Sequence, residues 1–311
     1  EKNSIRLILT LNKAVRSSGD KRDLGIRVAN FHHHDSSELM NYSEQYNQNA
    51  ILNRQEFLSG KSRLNSFPRT LGIDLIGKCN ISPPCVYCLW DHMKELEGDN
   101  ADIKIDADTF RNYGPFFHHA RNMVNCSFGE PMLHSKLHEI LAFFSEHDKF
   151  IEISTNGQAF TKQAIDAIAG KNITMYVSLD AATKDTYAKI RNDKWDTILP
   201  KLMMLKEARR KNRMLPRIYM VFMPMRVNIN EFEAYFELCR EIEVNALVLR
   251  PLNFFENYNV EVERGGYRFN YKDEMLTHEE IRSIIKEGER LSSQYGIPFI
   301  NQFEFGEQKD Q

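Results

Sequence analysis

Three of the five cysteines lie close together, in the segment 71–90 with the sequence LGIDLIGKCNISPPCVYCLW. Two residues separate Cys85 from Cys88, a spacing that lets both thiolates face one metal centre. Cys79 precedes Cys85 by six positions, across a loop that two consecutive prolines stiffen. The apolar residues ahead of the loop predict a buried strand, and a strand that delivers clustered ligands into a loop indicates a functional site.

Three cysteines are one ligand short of a closed zinc or iron-sulfur site, and the residues alone leave two arrangements open. One is a metal centre with a deliberately open position, where chemistry takes place. The other is a structural zinc site that a histidine such as His92 completes. A disulfide is the weaker alternative, because reducing compartments keep thiols free.

The loop resembles that of the radical S-adenosylmethionine (radical SAM) enzymes. In that family three cysteines bind three irons of a four-iron cluster, and the amino and carboxylate groups of S-adenosylmethionine bind the fourth. The usual family pattern has three residues between the first two cysteines, whereas five separate Cys79 from Cys85 here. Tyr87 occupies the family's aromatic position directly before Cys88. The resemblance implies that the three cysteines bind a [4Fe-4S] cluster and that Tyr87 flanks the adenine of the cofactor.

Length and composition set broad bounds. The 311 residues are enough to bury a substantial core, and we expect one main domain. The net charge of -2 creates no global basic field that would indicate nucleic acid. An odd number of cysteines, with no signal peptide and no apolar run of membrane-spanning length, favours a reducing cytoplasm and no membrane partner.

Helices and strands alternate from residue 71 onward, the pattern of parallel strands joined by helical crossovers. Six strand-helix units predict an α/β fold, a partial (β/α)6 TIM-like barrel over 69–252. A mostly helical N-terminal extension over 1–68 precedes it, and a C-terminal loop and helix over 253–311 follow, with 253–275 as a long loop that can cover the site. The predicted strands are 71–76, 122–127, 149–154, 173–179, 217–223 and 246–250. The predicted helices are 107–119, 133–147, 161–169, 183–191, 195–213, 229–243 and 277–294.

In such barrels reactive groups lie at the C-terminal ends of the strands. After the second strand come Gly129 and Glu130, followed by a proline, where glycine permits close backbone approach. This turn resembles the Gly-Gly-Glu-Pro segment that supports the methionine amino group in the radical SAM family, with Phe128 in place of the first glycine. After the third strand, Ser154 can hydrogen-bond a ribose or help to cap the next helix.

The segment after the fourth strand runs from Ser178 to Arg191, with the sequence SLDAATKDTYAKIR. It resembles the SPASM/twitch-type branch of the family, in which the serine and the arginine bind the carboxylate and ribose region of the cofactor. An arginine fork can pair a carboxylate through two parallel hydrogen bonds. Without the surrounding motif, Arg191 would be interpreted as a surface salt bridge at a helix end.

Arg250 follows the sixth predicted strand and would project at the open end of the barrel. There it can meet the cofactor or an anionic substrate, and we include it among the predicted cofactor contacts. The alternative is a salt bridge to a neighbouring acidic residue such as Glu130.

Taken together, these motifs predict a radical SAM enzyme that cleaves S-adenosylmethionine reductively and abstracts hydrogen from a substrate. The resemblance implies an electron donor such as flavodoxin or ferredoxin, and relatives with this fourth-strand motif often modify peptides. The alternatives are a zinc-stabilised binding module and an iron-sulfur protein that only transfers electrons. After Cys88 the chain has only Cys126 and Cys239, too few thiols for an auxiliary cluster. We therefore expect one cluster, in a piece cut before the cysteine-rich SPASM domain or in a branch without it.

Overall fold

The computed structural model describes residues 43–88, 105–125, 129–252 and 261–304. Seven parallel strands of these ranges form one sheet in the order β1-β2-β3-β4-β5-β6-β9. An antiparallel hairpin, β7-β8, stands apart from it. The strands are β1 Thr70–Ile73, β2 Asn122–Asn125, β3 Phe150–Thr155, β4 Ile173–Ser178, β5 Arg217–Phe222, β6 Ala246–Leu249, β7 Glu261–Arg264, β8 Tyr267–Asn270 and β9 Phe299–Asn301.

Helices connect successive strands of the sheet, as parallel pairing requires. Short 3-10 helices at Pro131–Leu133 and Ile229–Glu231 precede two of them. The α-helices are α1 Ser43–Leu58, α2 Ala107–Asn112, α3 Pro115–His119, α4 Leu137–Glu146, α5 Lys162–Ile168, α6 Lys184–Ile190, α7 Trp195–Arg210, α8 Phe232–Ile242, α9 Tyr271–Glu274 and α10 His278–Tyr295. No helix within these described ranges has the length and apolar character needed to cross a bilayer.

The two faces of the sheet differ in burial because side chains alternate along each strand. In β3, Ile151 and Ile153 are buried in the main hydrophobic core, whereas Glu152 and Ser154 are only half-buried. In β4, Tyr176 lies beside Ser154 in the same register and is also half-buried. The face that carries these polar residues is the inner face of the partial barrel, and the apolar face packs against the helices.

The predicted α/β class and partial barrel are confirmed. The sheet gains one strand beyond the six predicted, because β9 follows α10 and pairs with β6. The prediction of an irregular loop over 253–275 is wrong for its described part, where β7, β8 and α9 form. Gly265 and Gly266 make the two-residue turn of this hairpin with φ of 56° and 80°, a left-handed conformation that glycine adopts without strain.

Within the N-terminal extension, the described helix α1 spans Ser43–Leu58, and residues 59–68 after it contain no helix. Tyr46 of α1 donates a hydrogen bond to the His147 carbonyl at 3.0 Å, and the Asn49 side chain donates to and accepts from the Phe67 backbone. The predicted helices within 1–42 lie outside the described residues, as does Cys126. The division of the chain at residues 68 and 252 remains a prediction.

Candidate cluster and cofactor site

The cysteine loop follows β1 at the carboxyl end of the sheet and is anchored by backbone groups on three sides. Glu130 N donates to the Lys78 carbonyl at 2.7 Å, and Val86 N donates to the Ile190 carbonyl at 3.0 Å. The Tyr271 hydroxyl donates to the Tyr87 carbonyl at 2.7 Å. The Val86 side chain is fully buried. The loop is therefore tied to the ends of β2, α6 and β8.

Gly129 allows the turn after β2 to contact the start of the cysteine loop. A Cβ atom at this position would lie 2.3 Å from the Ile76 carbonyl oxygen and 2.5 Å from that of Lys78. Both are backbone atoms, which cannot rotate out of the way as a side chain can. The close backbone approach predicted for this glycine is thus the contact that places the loop.

The Glu130 carboxylate is buried and accepts three hydrogen bonds. One oxygen accepts from the Thr155 hydroxyl at 2.7 Å and from Met132 N at 3.0 Å, and the other accepts from Asn156 N at 2.7 Å. Burial raises the pKa of Glu130, while these hydrogen bonds oppose the rise. In this structure the residue joins the turn after β2 to the end of β3.

Two of the three thiols accept N–H hydrogen bonds from the following strands. Asn156 Nδ2 lies 3.6 Å from Cys79 Sγ, and Arg191 Nη1 lies 3.6 Å from Cys85 Sγ. Burial raises the pKa of Cys85 to about 12, so the free side chain is a neutral thiol. A bound metal ion displaces that proton, and an N–H donor stabilises the resulting thiolate.

Arg191 lies in a buried network behind the loop, in which the Asp180 side chain is fully buried. Its Nη2 donates to Asp180 Oδ2 at 2.5 Å, and the Tyr87 hydroxyl donates to the same oxygen at 2.5 Å. Burial raises the pKa of Tyr87 well above its usual range, so the phenol keeps its proton and remains a donor. Burial alone would lower the pKa of Arg191, but Tyr87, Cys85 and Asp180 raise it well above its usual range. With 3% of Arg191 exposed, the surface salt bridge weighed for it is wrong.

The residues of the loop fit a cluster that binds an additional ligand. Three thiols lie on one short loop, and donors already point at two of them. Arg191 Nε is buried beside the loop and has no hydrogen-bond partner in the described part of the chain. A buried, unpaired N–H of a cation is costly, and an acceptor supplied by a bound cofactor would satisfy it.

Among the described residues, no group of three or more histidine, cysteine or acidic side chains could hold a single metal ion. A four-iron cluster differs from a zinc ion here, because each of its irons takes a separate thiolate. His92, the candidate fourth zinc ligand, lies outside the described residues.

The remaining predicted cofactor contacts lie on the inner face. Ser178 ends β4 and is half-buried. Ser154 and Arg250 line a cavity of about 140 Å³ that contains no residue of the cysteine loop. The alternative salt bridge from Arg250 to Glu130 is wrong, since Arg250 Nε donates to Gln302 Oε1 at 3.0 Å and its guanidinium lies over the Tyr176 ring.

Sequence reasoning missed three residues that hold the loop. Asp180 lies in the segment 178–191, but no local sequence pattern indicates that it pairs with Arg191. Arg264 donates to the carbonyls of Pro84 and Arg191, and Tyr271 donates to that of Tyr87. Gly265 and Gly266 lie between two short segments in which apolar and polar residues alternate, a pattern that predicts the hairpin carrying Arg264.

The sequence matches the Radical SAM superfamily over residues 73–239. Similar solved structures include Streptococcus suis SuiB bound to S-adenosylmethionine, with a TM-score of 0.60 and 15% identity over 82% of this chain and 55% of SuiB. SuiB bound to its precursor peptide SuiA gives a TM-score of 0.60 and 14% identity over 88% of this chain and 57% of SuiB. A radical SAM methyltransferase from Sphaerobacter thermophilus gives a TM-score of 0.52 and 16% identity over 76% of this chain and 67% of that chain.

The chain thus spans little more than half of SuiB, the first of these structures. At these identities the likeness shows a shared fold. No curated protein matches the sequence.

Proposed function

Because the chain belongs to the radical SAM superfamily, we propose that its cysteine loop holds one [4Fe-4S] cluster and that the protein uses S-adenosylmethionine to abstract hydrogen from an organic substrate. When bound, the cluster supplies the electron that cleaves the cofactor into methionine and a 5'-deoxyadenosyl radical. The observation that carries the proposal is the loop itself, which holds three thiols, two of which accept N–H hydrogen bonds from Asn156 and Arg191.

The protein's own residues bind and orient in this proposal. Cys79, Cys85 and Cys88 each hold one iron as thiolates, and the Asn156 and Arg191 donors stabilise two of those thiolates. The Gly129 turn places the loop against the sheet.

The contacts with S-adenosylmethionine stay predictions. Ser178 ends β4, and Arg191, whose Nε has no partner among the described residues, pairs with Asp180 just after that strand, so an anionic group of the cofactor would find donors there. The full predicted set is Tyr87, Gly129, Glu130, Ser154, Ser178, Arg191 and Arg250.

A peptide is the substrate class that we propose, because SuiB has been solved with its precursor peptide and shares this fold. A flavodoxin or ferredoxin is the proposed electron donor, and the cytoplasm is the proposed compartment because free thiols persist there.

Anaerobic reconstitution tests the proposal. We expect about four irons per chain, an electron paramagnetic resonance signal after reduction, and 5'-deoxyadenosine from S-adenosylmethionine. Alanine at Cys79, Cys85 or Cys88 should abolish the cluster, because each change leaves one iron without its thiolate. The matched control is Cys239→Ala, which removes a buried thiol on α8 and should keep the iron.

Each rival function has its own outcome. A colourless protein with bound zinc would favour the binding module. A reduced cluster that never yields 5'-deoxyadenosine would favour electron transfer. About eight irons per chain would contradict the single-cluster ligand count.

A further inference from the structure

The cavity of about 140 Å³ on the inner face is a second polar site, distinct from the cysteine loop. Its lining includes Glu152 and Ser154 of β3, Tyr176 of β4, Arg250 after β6 and Gln302 after β9. Residues that follow parallel strands lie at the carboxyl end of the sheet, where barrel enzymes bind their ligands. The cavity therefore combines a cation at this end of the sheet with a carboxylate, a serine and a tyrosine from within β3 and β4.

Arg250 is held rigidly at the cavity. Its backbone N donates to the Phe222 carbonyl at 3.0 Å, and Gln302 N donates to the Leu249 carbonyl at 2.9 Å, so both backbones continue the sheet. The Gln302 side chain then accepts from Arg250 Nε at 3.0 Å. The centre of the guanidinium lies 5.4 Å from the centroid of the Tyr176 ring. These contacts fix the plane of the guanidinium before any ligand binds.

The two terminal amino groups of Arg250 are left uncommitted. Within the part of the chain that the structure describes, its side chain makes no hydrogen bond other than that of Nε and no ion pair. Glu152 is close enough to influence it electrostatically, yet the two do not form a salt bridge. Burial lowers the pKa of Arg250, so the site disfavours an isolated cation and would be stabilised by an anion.

The remaining lining groups define what else the ligand needs. Among the described residues the Glu152 carboxylate accepts no hydrogen bond, and burial raises its pKa, which the charge of Arg250 opposes. Burial also raises the pKa of Tyr176, so this phenol keeps its proton. A carboxylate that stands alone would lie near Glu152 and be repelled. A carboxylate with an adjacent N–H could instead pair with both charged groups.

We infer that this cavity binds the substrate through an α-carboxylate and the neighbouring N–H, with the carboxylate on the Arg250 fork and the N–H directed toward Glu152. A free amino acid and the C-terminal residue of a peptide share this chemistry. The inference rests on the proposed function, because it treats the cavity as the substrate side of a radical SAM site. It also moves Arg250 from the predicted cofactor contacts to substrate recognition.

Calorimetry on the reconstituted holoprotein, saturated with S-adenosylmethionine, tests this inference. Saturation keeps the probes out of the cofactor's own position. The probes are alanine, alaninamide, acetyl-glycyl-glycine and acetyl-glycyl-glycinamide. We expect at least one of the two acids to bind about tenfold more tightly than its amide, because the amide loses the charge that the guanidinium pairs. Preference for alanine would indicate an amino acid substrate, and preference for the acetylated dipeptide would indicate a peptide C-terminus.

Two variants and a control complete the test. Arg250→Lys keeps the charge but loses the planar fork, and Gln302→Ala keeps the arginine but releases it, so both should reduce the preference for the acid severalfold. Arg217→Lys, which changes an arginine that bonds Asn172 at the opposite end of β5, should leave the preference intact.

Three results would overturn the inference. They are equal binding of acid and amide, no binding of either acid, and loss of S-adenosylmethionine affinity in Arg250→Lys, which would return Arg250 to the cofactor. Iron content and 5'-deoxyadenosine formation are measured on the same samples. If those succeed and the probes fail, only the cavity assignment falls. If iron and cleavage are absent, the proposed function itself fails.

Discussion

Two arginines at the carboxyl end of the sheet have opposite surroundings. Arg191 is 3% exposed and pairs with a fully buried Asp180, while Tyr87 and Cys85 accept further hydrogen bonds from it. Arg250 is half-buried and shares only its Nε with a protein acceptor. A buried charge must be paired within the protein, whereas a charge beside an open cavity can be left for a ligand. The difference separates a buried pair behind the cysteine loop from a cation that lines a cavity.

The largest effect should come from breaking the buried pair. Asp180→Ala leaves Arg191 charged, buried and without its carboxylate, and we expect a loss of about 3–5 kcal/mol in the free energy of unfolding. Urea unfolding of metal-free protein, followed by circular dichroism, measures it without a contribution from cluster loss. The matched change in the cavity, Glu152→Gln, should alter stability by about 0.5 kcal/mol or less, because no salt bridge is broken. If both variants lose the same free energy of unfolding, the Arg191 network and the Arg250 cavity do not differ in the way described.

A smaller loss is expected from Gly129→Ala. The added Cβ would overlap backbone carbonyls of Ile76 and Lys78, so the loop must move, at a cost of about 1–3 kcal/mol. Iron content after reconstitution should fall as well, because the moved loop carries Cys79. The control is Gly60→Ala, where nothing lies within 4 Å but the φ of 65° is strained. It should lose about 1 kcal/mol and keep its iron. Full iron in Gly129→Ala would show that the loop tolerates the displacement.

Arg191→Lys tests whether Arg191 contacts the cofactor as well as supporting the loop. Lysine keeps the charge but loses the planar fork, so affinity for S-adenosylmethionine should fall about tenfold while the cluster survives. Calorimetry on reconstituted protein measures the affinity, and iron analysis confirms the cluster. Unchanged affinity would make Arg191 a purely structural residue of the loop. Loss of iron in this variant would instead show that the main role of Arg191 is its hydrogen bond to Cys85.

The smallest effect should follow from Tyr271→Phe. The change removes the hydroxyl that donates to the Tyr87 carbonyl but retains the ring within its apolar cluster. We expect a loss of about 1 kcal/mol in the free energy of unfolding, typical of one hydrogen bond. Phe269→Tyr adds a hydroxyl to a neighbouring buried ring and serves as the comparison. A Tyr271→Phe protein as stable as the parent would mean that this hydrogen bond adds nothing to the Arg264 hydrogen bonds and the packing that also hold the loop.

Strand and helix positions were largely predictable, because hydrophobic periodicity depends on residues close in the chain. The predicted range 173–179 contains the observed strand Ile173–Ser178, and 277–294 nearly coincides with His278–Tyr295. The strand Phe299–Asn301 was not predicted, because three residues are too few to show a hydrophobic period. The hairpin over 261–270 was overlooked although its Gly-Gly turn was visible.

The sequence by itself determined the cysteine spacing and the order of strands and helices, since both depend on near neighbours in the chain. Tertiary structure decided the partners of the two arginines. Asp180 lies 11 positions from Arg191, and Gln302 lies 52 positions from Arg250. The second pair meets because β9 joins the sheet beside β6, a neighbour relation that no local pattern encodes. Packing of the whole chain then buried the first arginine beside Asp180 and left the second half-buried at the cavity.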